Sequence, residues 1–172
     1  SALTELLTRY GWDDRWSSRY TDYLKTSAAA EVDSPTPGRV IRHDGAGLMV
    51  AIDTGPVRAM FGPPVELPPV VGDWVVLDCK SGTLDLEVGR THTPVATLPR
   101  DSLLRRRAAG TGEKEQAMAA NVDLVLVVCG LDRPVRSGRI QRTITIALDA
   151  GAESLVVLTK ADKVDPAVAA EA

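Results

Sequence analysis

Aromatic side chains are scarce: the 172 residues hold one Phe, three Trp and three Tyr, or 4% of the chain. Any core is therefore built mainly from Val, Leu, Ile and Ala, and a 44% apolar fraction supplies enough of them for a globular protein. Cysteine is almost absent. Cys79 and Cys129 lie far apart and match no metal-ligand spacing, which excludes a disulfide framework and a cysteine-based metal centre. They read as core thiols in a reduced, cytoplasmic compartment. No apolar run approaches the ~20 residues of a transmembrane helix, so no membrane span is expected. Nor does a basic segment followed by an apolar stretch open the chain as a signal peptide would. A Gly-x-x-x-x-Gly-Lys-[Ser/Thr] phosphate loop is also missing throughout.

What is present is most telling near residue 160. Ser154-Leu155-Val156-Val157-Leu158 reads as a short apolar strand, and Thr159-Lys160-Ala161-Asp162 follows it directly. A carboxylate at the end of such a strand can accept two hydrogen bonds, from guanine N1–H and from the exocyclic amine. Adenine offers no such donor pair, so its groups would stay unsatisfied. A lysine two positions earlier lays its methylene stem along the base plane with its head toward solvent. Open α/β sheets bind ligands beyond the carboxyl ends of their strands, which is where this loop falls. An ordinary strand-to-helix turn gives the same four letters, so the motif needs context.

The context changes character along the chain. Leu3, Leu6, Leu7 and Tyr10, then Trp12, Trp16, Tyr20, Tyr23 and Leu24, have helical spacing. Gly11-Trp12-Asp13-Asp14 breaks one helix and caps the next, giving a short helical N-terminal arm whose aromatics dock elsewhere. Residues 26–38 read as a linker. From residue 39 the period becomes that of strands: Arg39–His43, Leu48–Asp53, Val57–Phe61, Asp73–Asp78 and Thr83–Val88. Asp44-Gly45-Ala46-Gly47 and Thr54-Gly55-Pro56 are turns between them. Five short strands without a helix predict a small barrel, OB-fold-like in the first instance and SH3-like as the rival. Trp74, beside apolar residues, reads as core rather than as a base-stacking platform, and His92 as a surface residue.

After a connector, Leu124–Cys129 reads as a parallel strand buried on both faces. Ile140, Ile144, Ala147 and Leu148 form a helix stripe, Gly151 ends it, and the Ser154–Leu158 strand completes a βαβ unit. Asp165-Pro166 opens a further helix with a good cap. The predicted division is an arm and linker over 1–36, the barrel over 37–98, a basic interdomain linker over 99–118, and the start of an α/β domain over 119–172. Two parallel strands cannot enclose a stable core, so the rest of that domain is expected after Ala172. A phosphate loop would then follow the guanine loop, which is circular permutation.

Net charge is −3, but it is unevenly spread. Residues 99–118 carry Arg100, Arg105, Arg106, Arg107 and Lys114 against Asp101, Glu113 and Glu115. Those arginines, with Arg39, Arg42 and Arg58 on the barrel strands and His43 beside them, are candidates for RNA phosphate contact; a solvated face is the alternative.

The order of these parts is similar to a known family. Val71-Gly72-Asp73-Trp74-Val75 lies in the barrel, and Pro99-Arg100-x-Ser102-Leu103-x-Arg105 follows it. Ala120-Asn121-Val122-Asp123 and Leu158-Thr159-Lys160-Ala161-Asp162 come next. From about residue 37 onward the chain resembles the circularly permuted, ribosome small-subunit-dependent GTPase A family (RsgA/YjeQ-type). The resemblance implies an OB-fold-like barrel of five strands followed by the first βαβ part of a permuted P-loop-type GTPase domain. It also implies a C-terminal zinc-binding domain, GTP with Mg²⁺ in the full-length protein, and a monomer. The implied partners are the small (30S) ribosomal subunit and its rRNA, with late maturation of that subunit as the role. Thr159, Lys160 and Asp162 are then the guanine-loop positions.

The phosphate loop and the zinc ligands of the family are not in this sequence, and Asp44-Gly45-Ala46-Gly47, though it spells Asp-x-x-Gly, reads as a hairpin turn and not as the family's switch, so these residues alone are expected to hydrolyse no GTP. Pro134-Val135-Arg136-Ser137-Gly138 departs from the Asn-containing loop of the family. Two alternatives remain: a stand-alone OB-fold RNA-binding module, or an ATP or sugar-nucleotide enzyme in which Lys160 and Asp162 merely cap a strand.

Overall fold

The computed structural model describes residues 5–45, 47–62, 64–80, 91–107 and 115–167. It divides into two compact units, Ser1–Arg100 and Asp101–Ala172.

In the first unit, α1 (Glu5–Arg9) and α2 (Asp14–Leu24) precede five barrel strands: β1 (Pro35–Asp44), β2 (Gly47–Ile52), β3 (Gly55–Met60), β4 (Trp74–Lys80) and β5 (Thr91–Thr97). The predicted break and cap are present, since the Asp13 carboxylate accepts from the Trp16 N–H at 3.1 Å. The strands close in the order β1-β2-β3-β5-β4. β3 and β5 run parallel at Ala59 and His92, the other neighbours are antiparallel, and β4 pairs back onto β1. This is the OB-like barrel that was expected.

β1 performs the closure by serving two partners in succession. Residues 35–39 pair with β4 and residues 39–44 with β2. Pro35 and Pro37 are tolerated because their stretch has a ladder on one side only. The predicted linker over 26–38 therefore ends earlier than expected: Ala28–Glu31 is a 3₁₀ turn and the strand begins at Pro35. At the crossover, Gly38 faces neighbours so near that a Cβ would lie 2.5 Å from Val50 Cγ1 and 2.9 Å from the Ala51 carbonyl oxygen. Only a bare backbone lets the two ladders meet there.

β4 shows how one apolar run fills two cores. Val75 and Leu77 point into the barrel with Val40, Leu48, Val50 and Ile52. Trp74 and Val76 point outward, against Leu7, Trp12, Trp16 and Leu98. Trp74 is fully buried, with ring centroids 4.8 Å from Trp12 and 5.9 Å from Trp16. The arm's aromatics thus dock on the barrel's own tryptophan. Tyr20 Oη donates to the Pro35 carbonyl at 2.8 Å and Arg19 to the Pro99 carbonyl at 2.8 Å. Leu24, expected with the aromatics, is exposed.

The predicted strand Thr83–Val88 and the Gly110-Thr111-Gly112 segment lie outside the described residues, as does Leu3. The fifth barrel strand is instead Thr91–Thr97, whose Thr93, Val95 and Thr97 alternation was not read as a strand because Pro94 interrupts it. His92, expected on the surface, is half-buried there, opposite Cys79.

In the second unit, the predicted basic linker holds a two-stranded sheet. β6 (Leu103–Arg107) runs antiparallel to β7 (Glu115–Ala120), with a register shift between Leu104 and Arg105. The arginine run is a strand, not a free connector, because Gln116, Ala117 and Ala119 supply it with a partner ladder. β8 (Leu124–Gly130), α3 (Ser137–Asp149) and β9 (Glu153–Thr159) form the predicted βαβ unit, with β8 and β9 in parallel register from Leu124↔Glu153 to Gly130↔Thr159. β8 is not buried on both faces: Leu124, Leu126 and Val128 are exposed among the described residues, as is Leu155 on β9. On α3, Ala147 is fully buried while Leu148, one residue further round the helix, is 63% exposed.

Candidate nucleotide and RNA sites

The carboxyl ends of β8 and β9 lie side by side, and the chain leaves both at the same edge. Leu131 N–H donates to the Thr159 carbonyl at 2.9 Å, and Thr159 Oγ1 reaches the Cys129 carbonyl at 3.4 Å. The next residue, Lys160, adopts φ 61° and ψ 35°, in the left-handed region. Among the described residues only Asn121 shares this with it outside glycine. Asn tolerates that conformation through its short polar side chain; Lys does not, and such strain persists where surrounding structure over-determines it. The turn sends the chain into a 3₁₀ turn, Ala161–Lys163, which presents Asp162.

The Asp162 carboxylate is 72% exposed and among the described residues reaches only the Lys163 ammonium, at 3.4 Å, so it stands open to a ligand. Thr159, Lys160 and Asp162 are thus brought together at one sheet edge. Lys160 does not extend freely to solvent as expected. Its Nζ lies 2.6 Å from Asp132 Oδ2, in the loop after β8. The hydrogen bond and charge of Lys160 hold the Asp132 carboxyl below its ordinary range. Asp132 escaped the sequence reading because nothing local marks a residue that acts across to a neighbouring strand. The helix predicted after Asp165-Pro166 begins as expected, with Asp165 Oδ1 accepting from the Ala167 N–H at 2.9 Å.

The candidate arginines separate into two groups. Arg39 is occupied: it donates to the Tyr10 carbonyl, reaches the Gly72 carbonyl at 3.3 Å, and lies over the Trp74 ring. Arg100 is equally committed. Its Nε and Nη2 grip the two Asp73 carboxylate oxygens at 2.8 and 2.7 Å, and Nη2 also donates to the Pro68 carbonyl. Asp73 is fully buried, and its Oδ2 accepts the Val70 N–H as well. The hydrogen bond to Asp73 raises the Arg100 pKa. These two arginines hold the fold and are poorly placed to contact phosphate.

Arg42 and Arg58 are exposed and lie in one row across the barrel, each opposite Met49 of β2. His43 stacks obliquely on Phe61 at a centroid distance of 5.6 Å, and Phe61 is 47% exposed. Phe61 was missed, although an isolated aromatic before Gly62-Pro63-Pro64 was a signal. On β6, Arg105 and Arg106 are exposed, and Arg106 donates twice to Gln116 Oε1 at 3.2 and 3.0 Å. The Arg107 side chain lies outside what the structure describes.

The remaining motif residues interlock. Asp101 N–H donates to Asn121 Oδ1 at 2.9 Å, Ser102 Oγ donates to the Val122 carbonyl at 3.1 Å, and Val122 N–H donates back to Ser102 Oγ at 2.8 Å. Among the described residues no cluster of three His, Cys, Asp or Glu side chains could hold a metal, and no helix is long and apolar enough to cross a membrane.

A family model described as RsgA GTPase matches residues 97–172. Among curated relatives, the small ribosomal subunit biogenesis GTPase RsgA of Xylella fastidiosa strain M12 is 34% identical over 165 residues, covering 91% of this chain and 46% of the relative. The protein of the same name from Streptomyces coelicolor is 37% identical over 166 residues, covering 93% of this chain and 41% of its own length. The chain spans about half the length of the curated relatives it matches. Of solved structures, YloQ, a circularly permuted GTPase, superposes with TM-score 0.56 at 15% identity, covering 82% of this chain and 46% of that one. YjeQ from Thermotoga maritima gives 0.55 at 20% identity, covering 80% of this chain and 46% of that one. At such identities the two structures speak for the fold.

Proposed function

We propose that this chain belongs to the circularly permuted RsgA GTPase family, whose model matches residues 97–172, and that the intact protein binds and hydrolyses GTP in the maturation of the small ribosomal subunit. The observation that carries the reading is the exposed Asp162 carboxylate, presented by a strained turn at the carboxyl end of a parallel strand. A carboxylate in that place accepts from N1–H and the amine of guanine. Lys160 lays its stem along the base, and Thr159 ties the turn to β8.

The chemistry of hydrolysis needs groups that these residues do not carry. Phosphoryl transfer rests on a backbone cradle for the phosphates and a Mg²⁺ ion, and the sequence holds no phosphate loop. On this reading the 172 residues supply base recognition but no catalysis. Zinc belongs to the family's C-terminal domain and not to this chain.

The barrel is the RNA-facing part. Arg42, Arg58, His43 and Phe61 offer charge and a ring, the two elements of single-strand contact on OB barrels. Arg105, Arg106 and Arg107 add a basic strand. Arg39 and Arg100 leave the list of contacts, since both are spent inside the fold. A cytoplasmic monomer is the form proposed.

The test uses the intact protein. GTP hydrolysis should exceed ATP hydrolysis and rise when small subunits are added. Co-sedimentation with those subunits should weaken steeply with salt. Equal turnover of ATP and GTP would remove the guanine reading. Retention of unrelated RNA as well as of subunits would reduce the barrel to a generic RNA-binding module.

A further inference from the structure

Lys160 does something an exposed lysine has no need to do: it crosses to the neighbouring strand. Its stem passes over Gly130, the last residue of β8, where a Cβ would come within 3.3 Å of Lys160 Cδ and 3.5 Å of Cε. Its ammonium then meets Asp132 at 2.6 Å. The same absent Cβ would lie 2.5 Å from Asp132 Oδ1. Gly130 is therefore the bare floor over which both side chains meet. Gly130 and Asp132 thus fix the flexible stem of Lys160, whose own backbone is held in the left-handed region.

We propose that Asp132 is a positioning residue of the guanine site, holding Lys160 by its ammonium so that the lysine stem lies ready along the purine plane. This rests on the guanine reading above and deepens it. A lysine stem has several rotatable bonds, and a base that binds a free one must order it. With the head tethered, that ordering is done before the nucleotide arrives, and pre-organisation appears as affinity. Asp132 also neutralises the ammonium, so the apolar stem and not the charge faces the ring. The ligand class is the guanine base itself, so GDP and GTP benefit alike.

A fluorescent GDP analogue titrated into the intact protein tests this. Asp132→Asn should weaken binding about three- to fivefold, the scale of a partly exposed charged pair. Gly130→Ala should do the same, because its Cβ displaces a carboxylate tip and no backbone. In a Lys160→Met background neither substitution should weaken binding further, since the pair they act through is gone. A loss that stayed fully additive in that background would overturn the proposal and make Asp132 a loop-folding residue. Unchanged affinity in Asp132→Asn would overturn it as well. Asp162→Asn separates the two layers. If it leaves GDP affinity intact, the guanine reading has failed and the positioning role falls with it. If Asp162→Asn loses GDP while Asp132→Asn does not, the guanine reading stands and only the positioning role is rejected.

Discussion

At the scale of single residues, the most consequential pair is Asp73 with Arg100. Asp73 is fully buried and accepts from Arg100 twice and from Val70 once. Removing the guanidinium leaves a buried carboxylate with one donor. Arg100→Ala should therefore destabilise the first unit by about 3 kcal/mol, the usual cost of orphaning one partner of a buried pair. Arg100→Lys should recover only part, because an ammonium cannot make the two parallel bonds. Urea unfolding followed by tryptophan fluorescence reads both, with Trp74 and its neighbours as the probe. From its place in the sequence Arg100 reads as part of a basic linker and as a candidate phosphate contact. Its real partner lies 27 positions away, beyond any local pattern.

Tyr20 makes a second residue-scale prediction. Burial raises its pKa above the ordinary 10.0, and the nearby Tyr23 adds to the shift. The proton is thus held more tightly in the folded chain than in the unfolded one. Its contribution to stability is complete below about pH 10 and is lost as pH rises through the higher folded value. The ionised oxygen also loses its donor bond to the Pro35 carbonyl. Thermal midpoints should fall between pH 9 and pH 11 (about the range of tyrosine titration). In Tyr20→Phe that fall should be shallower, and an identical fall would show that the arm's docking does not depend on this hydroxyl.

Among elements, β1 decides whether the barrel closes. It passes from β4 to β2 at Gly38, where a methyl group would strike Val50, Ile52 and the Ala51 carbonyl together. Two of those contacts are with packed core side chains and one with backbone, so nothing yields easily. Gly38→Ala should cost about 2–3 kcal/mol, as overpacking does, and a chemical-denaturation curve would show it. No measurable loss would mean that the strand can shift at the crossover.

The elements also show what could be read in advance. The helical arm was legible because Asp13 caps locally and the aromatics repeat at helical spacing. The βαβ unit was legible because its strands are apolar runs and its helix stripe is periodic. β5 was hidden by Pro94, which is found within a strand that pairs with β4 on one side and touches β3 at one position. The β6–β7 sheet was hidden because charge dominates composition on one strand and alanine on the other. Continuous apolar runs carried a further ambiguity. Trp74-Val75-Val76-Leu77 is buried on both faces by the barrel and the arm, whereas Leu124–Cys129 has one face open among the described residues. The same pattern yields different burial because burial depends on what else is present.

For the whole molecule, the placement of the proposed guanine loop was the most legible in the sequence and that of the proposed RNA-contact residues the least. Thr159, Lys160 and Asp162 are adjacent in sequence, so one strand end brings them together. The arginines were chosen by charge alone, and charge does not say whether a guanidinium faces solvent or a buried aspartate. The central claim is that Asp162 reads guanine. The most direct measurement is the affinity of the intact protein for GDP, XDP and ADP, with and without Asp162→Asn. An asparagine amide can accept from N1–H and donate to the 2-oxo group of xanthine, but against guanine it can accept from only one of the two donors, because its NH2 replaces the second acceptor oxygen. The account predicts that the variant loses at least about tenfold in GDP affinity and gains XDP, while ADP stays weak throughout. A variant that binds GDP as tightly as before, or a parent protein that binds ADP as well as GDP, would contradict it.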